Sequence, residues 1–365
     1  MRCKNEQKSV MKKRSYKSKG KLGLFDKDEA VELMTELGNP LEKLSKVIDF
    51  EMFRTILEEK LTVKEKKSNA GAKPYDYVLM FKVLLLQRYF GLGDKQVQFQ
   101  ITDRISFKDF LGLSSGDKVP DEKTVWLFRE KVTKTGLVEE LFELFGNYLN
   151  NSGLILNEGK IVDASFTIAP RQRNTPEENK QIKEGKGDEL WNDNKHKKCH
   201  KDIDARWTQK GGVNYYGYKN HAKVDNKSKF IDTYDVTSAS IHDSQALEPL
   251  LTDNDKNQEL YADSAYTGVE QEKTIKSKGM INRVHEKGYK NKPLTDEQKA
   301  SNRGKSTFRA RVEHVFGFME QSMNGLCLKS VGIKRAKGIV GLINLTYNMY
   351  RYEQIRRLNI LTVSR

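Results

Sequence analysis

The pattern of this chain changes once, near residue 153, and that change limits the folds open to it. Before it, apolar residues recur at helical spacing. Helices are expected over residues 27–37, 50–61, 75–90, 94–102 and 106–111, then from Asp121 as a cap, and finally up to about Leu149. Gly38-Asn-Pro40, Gly91-Leu-Gly93 and Gly136 punctuate them. Residues 62–73 are polar and read as an exposed loop. After residue 153, short β-branched or aromatic runs take over: 154–156, 161–162, 213–224, 229–237, 260–262 and 280–284. Helices are interleaved from about Asp243, over 268–278, and over 305–324 and 338–358.

With 154–156 and 161–162 counted as one strand, the order of the second part, three strands and then helix, strand, helix, strand, helix, is that of a ribonuclease H-like α/β fold with a mixed sheet. The chain therefore divides into a basic tail, 1–21, a mostly helical segment, 22–152, and a sheet domain, 153–365. Short helices joined by tight turns suit a helix-turn-helix reader of DNA and suit a plain bundle equally.

Three carboxylates stand out in the second part. Asp163 lies in Lys160-Ile-Val-Asp-Ala-Ser-Phe166, where alternation puts Ile161, Asp163 and Ser165 on one face and Val162 and Ala164 on the other. An Asp inside an apolar strand is costly unless it binds something. Asp263 ends the run Leu260-Tyr-Ala262, at the carboxyl end of a strand, where open α/β sheets place ligands. Glu313 borders a helical stripe of Phe308, Val312, Val315, Phe316, Met319 and Met323. Arg309, one turn earlier, shares its side and suits a DNA phosphate or Glu313 itself. Taken singly, Asp263 reads as a helix cap and Glu313 as a surface residue. Together, carboxylates on two strands and one helix match a site for two Mg²⁺ ions, with Mn²⁺ an expected substitute, that drives phosphoryl transfer.

Charge points to the phosphate's owner. The chain of 365 residues carries a net charge of +15, and residues 1–21 hold nine Lys/Arg against one acid, Glu6. Such a balance suits a polyanion. A second basic stretch, 171–223, includes Arg171, Arg173, Arg206 and Lys219 with Trp207 among them. It suits backbone grip and base stacking, or a solvated loop. His196, Cys199 and His200 lack a fourth ligand, so no structural zinc is expected. His221 and His242 read as structural or phosphate-contacting. Cys3, Cys199 and Cys327 make no disulfide framework, no run approaches the ~20 apolar residues of a membrane helix, and a cytoplasmic, nucleoid-associated protein is expected.

A set of longer motifs, in order, resembles one family. They are the run from Tyr75 through Phe90, Val119-Pro-Asp121, Phe128-Arg129, Ile161-Val-Asp-Ala-Ser-Phe166, Ala169-Pro-Arg-Gln-Arg-Asn174, Asp204-Ala-Arg-Trp-Thr208, Tyr215-Tyr-Gly-Tyr-Lys-Asn-His221, His242-Asp-Ser-Gln-Ala-Leu247, Tyr261-Ala-Asp-Ser-Ala-Tyr266 and Arg311-Val-Glu-His-Val-Phe-Gly317. From about residue 71 to 350 the chain resembles bacterial insertion-sequence transposases of the DDE type, in the insertion-sequence-five (InsH-like) group. The resemblance implies that Asp163, Asp263 and Glu313 are catalytic and metal-binding. It also implies that the helical segment holds the element's terminal inverted repeats, and that a homodimer on paired double-stranded DNA ends cuts and joins them to target DNA. A broader pattern of related enzymes, Y-x₂-R-x₃-E-x₆-K, is met by Arg309 and Glu313, but Ser306 stands at the Tyr position and Glu320 at the Lys position. A DNA-binding protein that does not cut, and a nuclease that cuts without joining, are the competing readings.

Overall fold

The computed structural model of the protein describes residues 26–62, 73–325 and 327–360. The basic tail 1–21 and the loop residues 63–72 lie outside them. By packing, the chain falls into two units, 1–39 and 40–365. In the first, the described element is the helix α1, Asp26–Glu36.

The second unit begins with helices: α2 (Pro40–Val47), α3 (Arg54–Leu61), α4 (Tyr77–Tyr89), α5 (Asp94–Asp103), α6 (Ile105–Leu111), α7 (Glu122–Lys134) and α8 (Leu137–Asn151). Two starts are set by side chains the sequence displays. Asp76 accepts from the Leu79 N–H at 3.0 Å and Asp121 from the Thr124 N–H at 2.7 Å, each satisfying an otherwise orphaned donor of its helix. Helix α2 was not expected. Gly38-Asn-Pro40 reads as a stop, yet Pro40 is the first residue of the next helix, where its missing N–H costs nothing.

Six strands follow: β1 (Lys160–Ile168), β2 (Arg206–Lys210), β3 (Val213–Asp225), β4 (Ile231–Ser238), β5 (Glu259–Ala262) and β6 (Ile281–Asn282). With them come helices α9 (Pro176–Lys183), α10 (Lys195–Cys199), α11 (Leu247–Leu250), α12 (Val269–Ser277), α13 (Asp296–Gln321) and α14 (Ile333–Leu358). Antiparallel β3 pairs with β1 on one side; on its other side it pairs with β2 along its start and β4 along the rest. On the far side of β1 run β5 and then β6, both parallel. This is the mixed ribonuclease H-like sheet that the element order predicts. Two expectations fail locally: residues 154–156 are not a strand, and 280–284 shrinks to two residues. The basic stretch 171–223, open to backbone grip or to a solvated loop, holds α9, α10, β2 and most of β3, of which only the strand from residue 213 was expected. The sequence reading missed α9, whose start is set by a reciprocal capping box of Thr175 and Glu178 with Pro176 at the first turn.

The two faces of the sheet feed two cores. Ile161 and Tyr261 join the large core shared with α13, α14 and the helices α2 to α8, whereas Val162, Leu260 and Ala262 join a smaller core with Leu247, Leu250, Tyr266 and Ile275. The change of pattern near 153 is thus a change of secondary structure and not a break in packing. Helix α14 is the reason, because it is buried on nearly every side between α4, α7, α8 and β4. Its Asn348 takes the place of a neighbouring strand, accepting from the Ile231 N–H at 2.9 Å and donating to the Ile231 C=O at 2.8 Å. Asn344 and Asn220 exchange bonds at 2.8 and 3.2 Å in the same interior. A Cβ on Gly341 would stand 2.3 Å from the Tyr234 hydroxyl and 2.6 Å from Val138, so only glycine lets the helix lie this close. Among the described residues, no helix is long and apolar enough to cross a membrane.

Candidate active site

Strand register brings the two aspartates together. β1 and β5 are parallel, with Val162 opposite Ala262, so Asp163 and Asp263 are the next pair along. Adjacent strands lie about 4.8 Å apart and alternate residues share a face. Both aspartates therefore leave the sheet on the side of Ile161 and Tyr261, toward α13. That helix is laid against the face by Val312, Val315, Phe316 and Met319, all buried, and by Phe308, whose ring stacks on Tyr261 at 4.7 Å. Arg309 and Glu313 are carried on it, one turn apart.

The electrostatics are unbalanced. Burial pushes the Asp163 carboxyl up to about 6, while the Ala164 N–H at 2.8 Å and Arg309 pull down, and Asp263 pushes further up. Asp263 does serve as a cap, accepting from the Ala265 N–H at 2.8 Å. Arg309 lies between the carboxylates, its Nη1 3.6 Å from Asp163 and its Nη2 3.4 Å from Glu313, and its buried Nε has no hydrogen-bond partner among the described residues. Glu313 is 62% exposed and turned onto Arg309. Accordingly, among the described residues no three His, Cys, Asp or Glu side chains close into a group that could hold a metal ion. The structure joins Asp163 with Asp263, and holds Glu313 at the rim by its ion pair.

In kind, the donors fit a hard divalent cation: they are all carboxylate oxygens on a sheet and a facing helix, and the buried one lacks full compensation. In arrangement, two of the three fit as they stand, and the third fits only once Glu313 leaves Arg309.

Sequence reasoning passed over His285. It follows β6, and its N–H donates to the Ala262 C=O at 3.0 Å, which sets it beside the end of β5. Burial, with Arg309 and Lys305 nearby, lowers the pKa of its ring. The β6 run is too short for periodicity to reveal it. His221 is fully buried, its Nε2 2.8 Å from the Thr237 hydroxyl, and burial brings it down to about 4. His242 caps the turn after β4 through Ser244.

The expected DNA contacts separate into two sets. Arg171, Arg173 and Trp207 are exposed, with the Arg171 guanidinium 5.5 Å from the Trp207 ring centre. Arg206 instead donates to the Ile203 C=O at 2.6 Å and the Ile182 C=O at 3.2 Å. Lys219 is buried against Asp243 and the Ile241 C=O, both at 2.7 Å. These two tie the fold together through their charged ends. His196 and His200 lie ring to ring at 4.9 Å, and the nearby Cys199 thiol donates to the His196 C=O at 3.1 Å.

A mixed sheet of this topology, with one aspartate inside a central strand, a second just past the end of its parallel neighbour and a helix across them, defines a ribonuclease H-like domain of the kind that works on phosphodiesters. The chain belongs to the Transposase DDE domain family, whose model matches residues 159–349. A second model, Transposase domain (DUF772), matches residues 29–131. Among solved structures, the chain is similar to the piggyBac transposase in its synaptic complex with hairpin DNA, at 10% sequence identity and a TM-score of 0.42, over 91% of this chain and 78% of that one. The family's members use divalent metal ions in phosphoryl transfer.

Proposed function

We propose that the protein is a DNA transposase of the insertion-sequence-five group, which cuts DNA at the terminal inverted repeats of its element and joins the freed 3′ ends to target DNA. The observation that carries this reading is the parallel register of β1 and β5. It sets Asp163 and Asp263 side by side under the helix that bears Glu313 and Arg309. These three carboxylates would hold two Mg²⁺ ions, which supply the charge that in-line displacement at phosphorus requires. Arg309 has two parts to play. Before DNA arrives it partly neutralises Asp163 and restrains Glu313. A backbone phosphate, a better bidentate partner than carboxylates at 3.4–3.6 Å, would draw the guanidinium away and free Glu313 to turn inward. The exposed Arg171, Arg173 and Trp207 offer a phosphate grip and a stacking surface beside the sheet, and the helical segment 22–152 holds the DNA ends. Cutting two ends together calls for a dimer on paired ends.

The test is a Mg²⁺-dependent assay on DNA carrying the short inverted repeats that flank the gene, scored for both cut and joined products. Both are expected. Specific binding without any cutting would leave a DNA-binding protein, and cutting without joined products would leave a nuclease.

A further inference from the structure

A second charged cavity lies away from the carboxylates, where α4, α7 and the segment between α13 and α14 converge. Its volume is about 490 Å³, and its lining includes Arg88, Asp94, Arg129, Glu320, Lys329 and Ser330. Gly91 and Asn324 close one side, so tightly that a Cβ on Gly91 would stand 2.7 Å from that of Asn324.

The charges here do not balance. Asp94 is fully engaged: it pairs with Arg129, including Nη2 to Oδ2 at 2.8 Å, and accepts from the Gln87 amide at 2.7 Å. Arg88 is left with no hydrogen bond or ion pair among the described residues, and its Nε is buried. Burial and the neighbouring Arg129 bring its guanidinium down to about 10, the mark of a cation with too little compensation. Among the described residues, Ser330 presents a buried hydroxyl that also lacks a partner, and the exposed Lys329 is unpaired. Buried donors without acceptors are costly, and a guanidinium, a hydroxyl and an ammonium around one cavity are the donor set of a phosphate oxyanion. Glu320, exposed at the rim, opposes an anion and keeps the site from being uniformly positive.

We propose that this cavity is a phosphate-binding site built by Arg88, Lys329 and Ser330 on the frame of the Arg129–Asp94 pair. Its position names the source, and this step rests on the transposase reading. Glu320 follows Glu313 by seven residues on α13, so the rim lies about 10 Å along the same side of the helix, at ~1.5 Å per residue. One DNA strand covers that distance in about three nucleotides at its ~3.4 Å spacing. The site then takes a backbone phosphate of the strand that leaves the carboxylates.

The full chain is titrated with inorganic phosphate, followed by thermal melting, and with a short DNA duplex over a range of salt, followed by fluorescence anisotropy. Lys329→Gln and Ser330→Ala are chosen because Lys329 is exposed and the serine change removes one oxygen only, and Arg88→Gln is added if its circular dichroism matches the parent. Millimolar phosphate is expected to raise the melting temperature of the parent and not of the variants. DNA affinity of Lys329→Gln is expected to fall about tenfold, with the logarithmic salt slope shallower by about 0.9, as for one lost phosphate contact. Variants that respond to phosphate and to DNA as the parent does overturn the proposal. A lost phosphate response with an unchanged DNA slope overturns the DNA source and keeps a site for free phosphate. Neither readout involves cutting, so an inert enzyme that shows both responses would sink the transposase reading and leave this site standing.

Discussion

At the start of β1, Lys160 is buried with Asp225 at 3.8 Å and Asp232 at 3.2 Å, and on neighbouring β3 Lys223 lies 2.6 Å from Asp255 and 3.1 Å from Asp232. Three residues after Lys160 on the same strand, Asp163 has one ion pair among the described residues, to Arg309 at 3.6 Å, and the neighbouring Asp263 adds a like charge. Burial acts on both ends of the sheet, but the outcomes differ. Burial pushes Asp232 up, yet Lys160 and Lys223 together bring it below its ordinary value, whereas Asp163 ends well above its own. Asp225 is further held by the Ser228 N–H at 2.8 Å, the Ser228 hydroxyl at 2.7 Å and the Asn157 N–H at 3.0 Å. If Asp163 and Asp263 are the working acids proposed above, the comparison gives a way to tell them from structural acids on one sheet. An acid that belongs to the fold brings its cations with it, and an acid reserved for an outside cation is left short of charge.

Three measurements probe that contrast. The largest effect belongs to the working end: Asp163→Asn, Asp263→Asn and Glu313→Gln should each lower DNA cutting by at least ~10²-fold, the scale of losing one preorganised charge-stabilising group, while binding stays close to the parent's. A variant that still cuts at the parental rate removes its residue from the site. Next comes the structural end. Lys223→Met leaves Asp255 buried and unpaired, and urea unfolding should show a loss of about 3–5 kcal/mol with cutting retained in the folded fraction. Replacing Asp255 by Leu in the same chain should restore most of it; if it does not, the network matters for shape more than for charge.

The smallest effect is the pH dependence of Asp163. Its folded pKa, about 6, lies above the unfolded value of 3.8, so its contribution to stability is full below about pH 4 and is lost as pH rises through 6. Asp163→Asn should therefore be more stable than the parent at pH 8 without divalent metal, by up to about 3 kcal/mol, and equal to it near pH 3.5. Added Mg²⁺ should narrow the gap at pH 8 by stabilising the parent. A gap that does not change with pH would mean that Asp163 is already compensated, and the contrast between the two ends would fail.

Much of this was legible in the chain, for local reasons. The cap Asp121 depends on a residue three away, and period-two alternation separates Ile161 from Val162 across the sheet. The setting of each acid was also readable, because an Asp inside an apolar strand is conspicuous wherever the strand goes. What the sequence by itself determined was the division into a helical part and a sheet part, most of the long helices and central strands in order, and which carboxylates are out of place in them; α2, α9, α10 and β2 escaped it. The tertiary structure alone decided the rest. Arg206 and Lys219 spend their charges inside the fold, and Arg88 is left without a partner. Arg309 holds Glu313 away from the aspartates, and α14 welds the helices to the sheet through Asn348 and Gly341. Each of these depends on which distant group arrives to meet a charge or a backbone edge. Propensity and period act over a few residues, whereas charge compensation acts over distances that only folding sets.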